Sequence, residues 1–340
     1  MVAAGILVPA SGYAQRRRAS LPPGLQFRQY ALAGVAAIDD LAVSADGTVW
    51  FAGESATADH MVGYLSSDRT PVLIPVTTKV DDIAATNDAA WCAAGHAILR
   101  IDKSQSVRAI LASPNIGISR IAIDYSGAVW FLTSEFVSRL DPVTESVTGY
   151  KLPSSLAYPS GLAIGMDNSI WLVTRRSVGH LAGNGIFVEY RNDALFSSMG
   201  SRELYFGFVS VLAVPGGAIW AVATSTLGPT FISAPRGSFV VRVLPSGGLE
   251  KIIDRPGDTI YDIVAGDQAV WVADCSCAPY SLDKSRLQRY SLDATLSREI
   301  AVPTTGHFPE KVVNRIVPSP DGTLWLTYRD QPVIVNLVWP

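Results

Sequence analysis

Cysteine, histidine and methionine are scarce in this chain of 340 residues, at three, four and four. Three cysteines cannot build a disulfide framework. Cys275-Ser276-Cys277 allows one tight local disulfide, whereas a tetrahedral zinc site built on that pair needs two more ligands. Cys92 directly follows Trp91 in a strand pattern and reads as a small buried hydrophobe. Charged residues are few, 17% against an ordinary ~25%. With a net charge of −3 and no Lys/Arg block, a nucleic-acid partner is excluded. No run of 18 apolar residues exists, so no helical membrane span is expected. Ser-His-Asp order, a phosphate-binding glycine loop, a zinc signature and a dinucleotide-binding glycine pattern are all missing from the chain.

What is present is apolar residue, 48%, cut into short runs by 28 Gly, 21 Pro and scattered Asp and Asn. That texture favours many short strands over long helices. Length alone admits several domains or one large all-β ring. Seven of the eight tryptophans decide between them: Trp50, Trp91, Trp130, Trp171, Trp220, Trp271 and Trp325 recur every 39 to 54 residues. Ahead of each lies an apolar strand pattern, then a turn pair at four and three residues before the Trp. Those pairs run from Asp46-Gly47 and Ser126-Gly127 to Gly216-Gly217 and Asp321-Gly322, suited to two-residue hairpins. A third strand follows, as in Val137-Ser138-Arg139-Leu140-Asp141, and then a shorter fourth, as in Val147-Thr148-Gly149-Tyr150-Lys151. Four antiparallel strands repeated seven times predict an all-β, seven-bladed β-propeller, with each Trp packing blade against blade. The last unit has strands at 315–318, 323–328 and 333–338 but no fourth, while residues 25–32 look like a fourth strand without a unit. They are expected to complete the last blade and close the ring.

The N-terminal stretch 2–10 is mostly apolar and is followed by small residues up to Ala14, a pattern suited to signal-peptide cleavage. The expectation is a leader and tail over 1–22, a single propeller domain over 23–340, and export to the periplasm or beyond.

Units such as Ile121-Ala122-Ile123-Asp124-Tyr125-Ser126-Gly127-Ala128-Val129-Trp130-Phe131, followed by Val137-Ser138-Arg139-Leu140-Asp141, resemble the streptogramin (virginiamycin B) lyase family of seven-bladed propellers. The resemblance covers about residues 36–338. It implies a Mg²⁺-assisted elimination that linearises a cyclic depsipeptide. It also implies a His at the opening of one inner strand and a Glu after the Trp of that blade. Here the inner strands are opened by Asp40, Asp82, Arg120, Gly161, Ser210, Asp262 and Arg315, with no histidine among them.

In a propeller, loops leading into inner strands share one face with loops joining second and third strands, and ligand sites gather there. Asp40, Asp82 and Asp262, with Arg120 and Arg315, are therefore the candidate ligand-binding rim. The three carboxylates would suit Mg²⁺ or Ca²⁺, or they pair with the arginines as architecture. His307 and Glu310, in the connection to the last blade, are the candidate general base and metal ligand or orienter. His60 and His180 fall in third-strand patterns and read as structural, and His96 lies in a short loop. Glu54, Glu135 and Asp274 follow their tryptophans, and the first two read as hydrogen-bonding loop backbone. Two long loops, 224–238 and 274–285, lie on the same face and are candidates for recognition. The reading is a monomeric binding or interaction module for a small molecule, peptide or protein. The alternative is a metal-assisted lyase or hydrolase acting on a cyclic peptide, ester or lactone.

Overall fold

The computed structural model describes residues 24–57, 59–112, 117–197, 206–225, 237–266, 268–275, 285–302, 312–328 and 331–338. Among them, 28 strands form seven four-stranded antiparallel sheets. Blades 1 to 6 run over 35–76, 82–112, 120–151, 161–191, 206–256 and 259–301, each laid down in sequence order from inner to outer strand. Blade 7, over 313–338, takes its outer strand from Gln26–Ala31, which pairs antiparallel with Val333–Val338. The N-terminal strand thus fastens the first segment to the last, as expected, and spares Val333–Val338 an open edge.

Burial grades outward through each sheet. The second strand is covered on both faces, as in Val129–Leu132 and Ala89–Ala94, whose residues are all buried. Outer strands such as Val147–Lys151 face solvent along most of their length. All seven repeat tryptophans are buried, and each belongs to a core cluster shared with the next blade. Trp50 packs with Ile83, Ala90 and Cys92 of blade 2, and Trp325 of blade 7 packs with Ile38, Val49 and Phe51 of blade 1. Cys92 is the free cysteine among the described residues and is fully covered; burial pushes its thiol pKa up.

Strand register puts one third-strand residue directly across from each Trp, and several of these residues cover the indole. Tyr64 lies 4.9 Å from Trp50, and His180 stacks on Trp171 at 4.3 Å and 10°. Burial lowers the His180 pKa, which fits a structural role.

The turns ahead of the tryptophans differ from expectation in one respect. In blade 1, Gly47 N–H donates to the Ser44 carbonyl (2.9 Å) and Ser44 N–H to the Thr48 carbonyl (3.0 Å). That makes a three-residue loop, a type I turn followed by a left-handed residue, and blades 3, 4 and 7 repeat it. The left-handed position is the third residue before the Trp: Gly47, Gly127, Asn168 and Gly322 all have φ between 63° and 86°. Blade 2 keeps the two-residue form, with Thr86 N–H donating to the Ala89 carbonyl.

Candidate functional site

At the channel mouth four of the inner strands are irregular just ahead of the residue that opens them. Register shifts fall between Ile38 and Asp40, Phe208 and Ser210, Ile260 and Asp262, and Val313 and Arg315. A bulge of this kind re-aims the side chain that follows it. Blades 2, 3 and 4 instead have short regular inner strands that begin at Asp82, Arg120 and Gly161. At Gly161 an added Cβ would lie 2.9 Å from Val173 Cγ2 and 3.2 Å from Ser210 Cα, so a side chain is excluded there.

The aspartates of blades 1, 2 and 6 converge on the arginine of blade 7. Arg315 Nε lies 2.7 Å from Asp40 Oδ1, and its other nitrogens lie 3.5 Å from Asp82 Oδ1 and 3.8 Å from Asp262 Oδ1. Each carboxylate also stitches its blade to the next. Asp40 Oδ2 accepts from Ile83 N–H (3.0 Å), Asp82 Oδ2 from Ile121 N–H (2.8 Å) and Asp262 Oδ2 from Ile316 N–H (2.8 Å). Asp40 and Asp262 further accept the N–H of the residue that follows them, Leu41 at 2.9 Å and Ile263 at 3.0 Å. Arg120 completes the rim, donating to the Ser119 carbonyl at 2.7 Å and adding positive charge near Asp82.

One guanidinium among three buried carboxyls leaves excess negative charge. Burial, then the neighbouring Asp40 charge, holds Asp82 well above the usual carboxylate range, although Arg315 opposes both. Burial pushes Asp262 up to about 6, against the pull of Arg315 and two backbone N–H groups. Arg315 is held above its ordinary value, chiefly by Asp40.

These donors do not fit a divalent cation. Arg315 occupies the point on which the carboxylates converge, and their outer oxygens are committed to backbone N–H groups. Among the described residues, no group of three or more His, Cys, Asp or Glu could hold a metal ion.

His307 and Glu310 lie outside the described residues, as do 226–236 and 276–284 of the two long loops. Glu54 and Glu135 are exposed. Asp274 is buried in a charged network: Arg286 donates to both its oxygens at 2.9 Å, Arg286 also reaches Asp258 at 2.6 Å, and Arg255 Nε stands 3.7 Å away. Cys275, beside it, is disulfide-bonded, and Cys277 lies outside the described residues. One juxtaposition was hidden in the sequence: Glu54 and His60 face each other across the second and third strands of blade 1, on the mouth side. Their six-residue separation around a hairpin was the available signal.

No family model matches the chain, and no curated protein matches it by sequence. Solved structures do resemble it. A catalytically inactive virginiamycin B lyase from Staphylococcus aureus with quinupristin superposes with TM-score 0.69 at 19% identity, covering 93% of this chain and all of that one. YCF48 bound to D1 peptide gives 0.63 at 14%, covering 92% and 95%. The extracellular domain of a putative one component system from B. thetaiotaomicron gives 0.63 at 11%, covering 91% and 39%. At such identities the likeness is one of fold, and the chain resembles the streptogramin lyases as a seven-bladed propeller of the same architecture.

Proposed function

We propose that this chain is an exported β-propeller binding module that takes a polar peptide or small molecule at the inner-strand openings. The observation that carries this reading is the mutual engagement of Asp40, Asp82, Asp262 and Arg315. These four groups satisfy one another and the backbone, so they shape a rigid charged floor rather than supply a free base or nucleophile. Recognition then falls to the partly exposed rim above that floor, where Arg120, Asp39 and Asp81 stand. A rigid scaffold presenting polar groups around a concave mouth is a common binding arrangement. The peptide-bound neighbour and the extracellular neighbour use the same architecture.

The test is binding of the full chain to an immobilised peptide panel, beside the variant Arg120→Glu. The reading expects at least one peptide class whose affinity drops about tenfold or more on charge reversal. Equal binding by both proteins overturns the rim assignment.

A second reading, a lyase or hydrolase on a cyclic peptide, ester or lactone, is favoured by the fold likeness and by the Glu54–His60 pair. Incubation with a cyclic depsipeptide separates the two. Elimination opens the ring at constant mass, and hydrolysis adds one water. The binding reading expects the ring intact, and either product overturns it.

A further inference from the structure

On the face opposite the channel mouth, a cleft opens between blades 6 and 7. It encloses about 350 Å³ and is lined by Gly266, Trp271, Arg289 and Arg298 of blade 6 and by Ser319 and Thr323 of blade 7. That volume lies within the range of small-molecule sites.

Four third-strand arginines stand directly across from a repeat tryptophan, and three of them are neutralised. Arg100 pairs with Asp88 and lies 3.8 Å from Asp102; Arg139 Nε lies 3.8 Å from Asp124; Arg242 lies 2.6 Å from Glu250. Arg289 is the fourth. Its contact among the described residues is the Ser297 hydroxyl at 3.2 Å, and it joins no ion pair among them.

Blades 2 and 6 make the contrast sharpest, because both align Trp, Arg and Arg across three strands. In blade 2 Arg108 faces Arg100 and is neutralised by Glu145 of blade 3 at 2.6 Å. In blade 6 Arg298 faces Arg289, and the turn position that holds Asp88 in blade 2 holds Gln268. Asp267 of that turn lies outside the described residues, and Arg298 has a further interaction of its own; among the described residues Arg289 has no carboxylate within ion-pair distance. Like charges directly opposite across strands destabilise a sheet unless something bridges them. Two hydroxyls along the cleft have already spent their protons: Ser297 Oγ donates to the Arg289 carbonyl at 2.9 Å, and Thr323 Oγ1 to Asp321 at 2.7 Å. The charged donor that the cleft offers a ligand is the Arg289 guanidinium, beside the part of Trp271 that lines the cleft.

We infer that this cleft is a binding site for a small ligand that bears an oxyanion (carboxylate, phosphate or sulfate) on a flat ring. The oxyanion bridges toward Arg289 in the forked geometry that guanidinium groups favour, and the ring packs against the small uncovered part of Trp271 that lines the cleft.

Gly266 supplies a blocking variant. A Cβ there would sit 3.6 Å from Pro318 Cβ and 3.8 Å from Trp271 Cδ1, ordinary contact, so a longer side chain projects into the cleft without backbone clash. Calorimetric titration of the full chain with phenyl phosphate, benzoate and inorganic phosphate, at fixed ionic strength, tests the site. Arg289→Gln and Gly266→Leu are run beside it, with melting curves as folding controls. The expected result is saturable binding of phenyl phosphate that weakens about tenfold or more in each variant while melting stays unchanged. No saturable heat up to ~10 mM, or variants that bind like the parent, overturns the site. Phenyl phosphate and benzoate binding no tighter than phosphate overturns the ring part of the assignment.

Discussion

At the scale of single residues, the channel mouth is governed by one arginine. Arg315 compensates three buried carboxyls contributed by three other blades. Replacing it by Met keeps much of its bulk and removes the charge, leaving the carboxylates unpaired. The expected cost is about 3–5 kcal/mol in urea unfolding at pH 7. That cost shrinks toward pH 5 as the carboxyls protonate. Asp262 gives a second prediction. Its folded pKa of about 6 exceeds its ordinary value of 3.8, so the native state binds the proton more tightly than the unfolded chain. Its contribution to stability is complete below about pH 4 and is lost as pH rises through 6, amounting to about 3 kcal/mol. His180, whose folded pKa is lowered, acts in the opposite sense over part of this window, so the parent-minus-variant difference is the quantity to read. Asp262→Asn should flatten the pH dependence between 4 and 6 relative to the parent, and an unchanged slope refutes the assignment. That Asp40, Asp82, Asp262, Arg120 and Arg315 stand at a shared rim was readable from repeat position alone. Their union around one guanidinium was not, because it joins residues up to 275 positions apart (40 to 315) through bulges that leave no mark in the composition.

At the scale of elements, the repeat was legible because each blade needs the same things in the same order. A left-handed turn residue (in every blade but the second), a doubly covered strand and a Trp facing the next blade recur in register. Where the turns departed from the expected two-residue form, the reason was local: a type I turn plus one left-handed residue satisfies the same Gly or Asn preference with one more residue. The facing of Glu54 and His60 is set by cross-strand register, which neither strand's own pattern displays. Ring closure depends on Gln26–Ala31, whose Tyr30 packs on Trp325 at 5.5 Å. A chain starting at residue 33 would leave Val333–Val338 as an open edge. The expected outcomes are a lower melting temperature and self-association at high concentration, read by light scattering. A truncated chain that stays monomeric and melts like the parent would show that closure does not rest on this strand.

At the scale of the whole molecule, the ring is held by seven interblade cores and by Asp-to-backbone bonds that cross from blade to blade at the mouth. At the mouth the three carboxylates gather around Arg315, which stands where a cation would have to sit. The most direct test compares melting curves of the full chain in EDTA, Mg²⁺, Mn²⁺ and Ca²⁺, beside the Asp40, Asp82, Asp262→Ala triple variant. A ligand that binds the folded state alone raises the melting temperature by mass action. The parent midpoint is expected to be the same in all four conditions, and the triple variant to melt lower in each. A rise of several degrees with one metal, present in the parent and absent in the triple variant, would contradict this expectation.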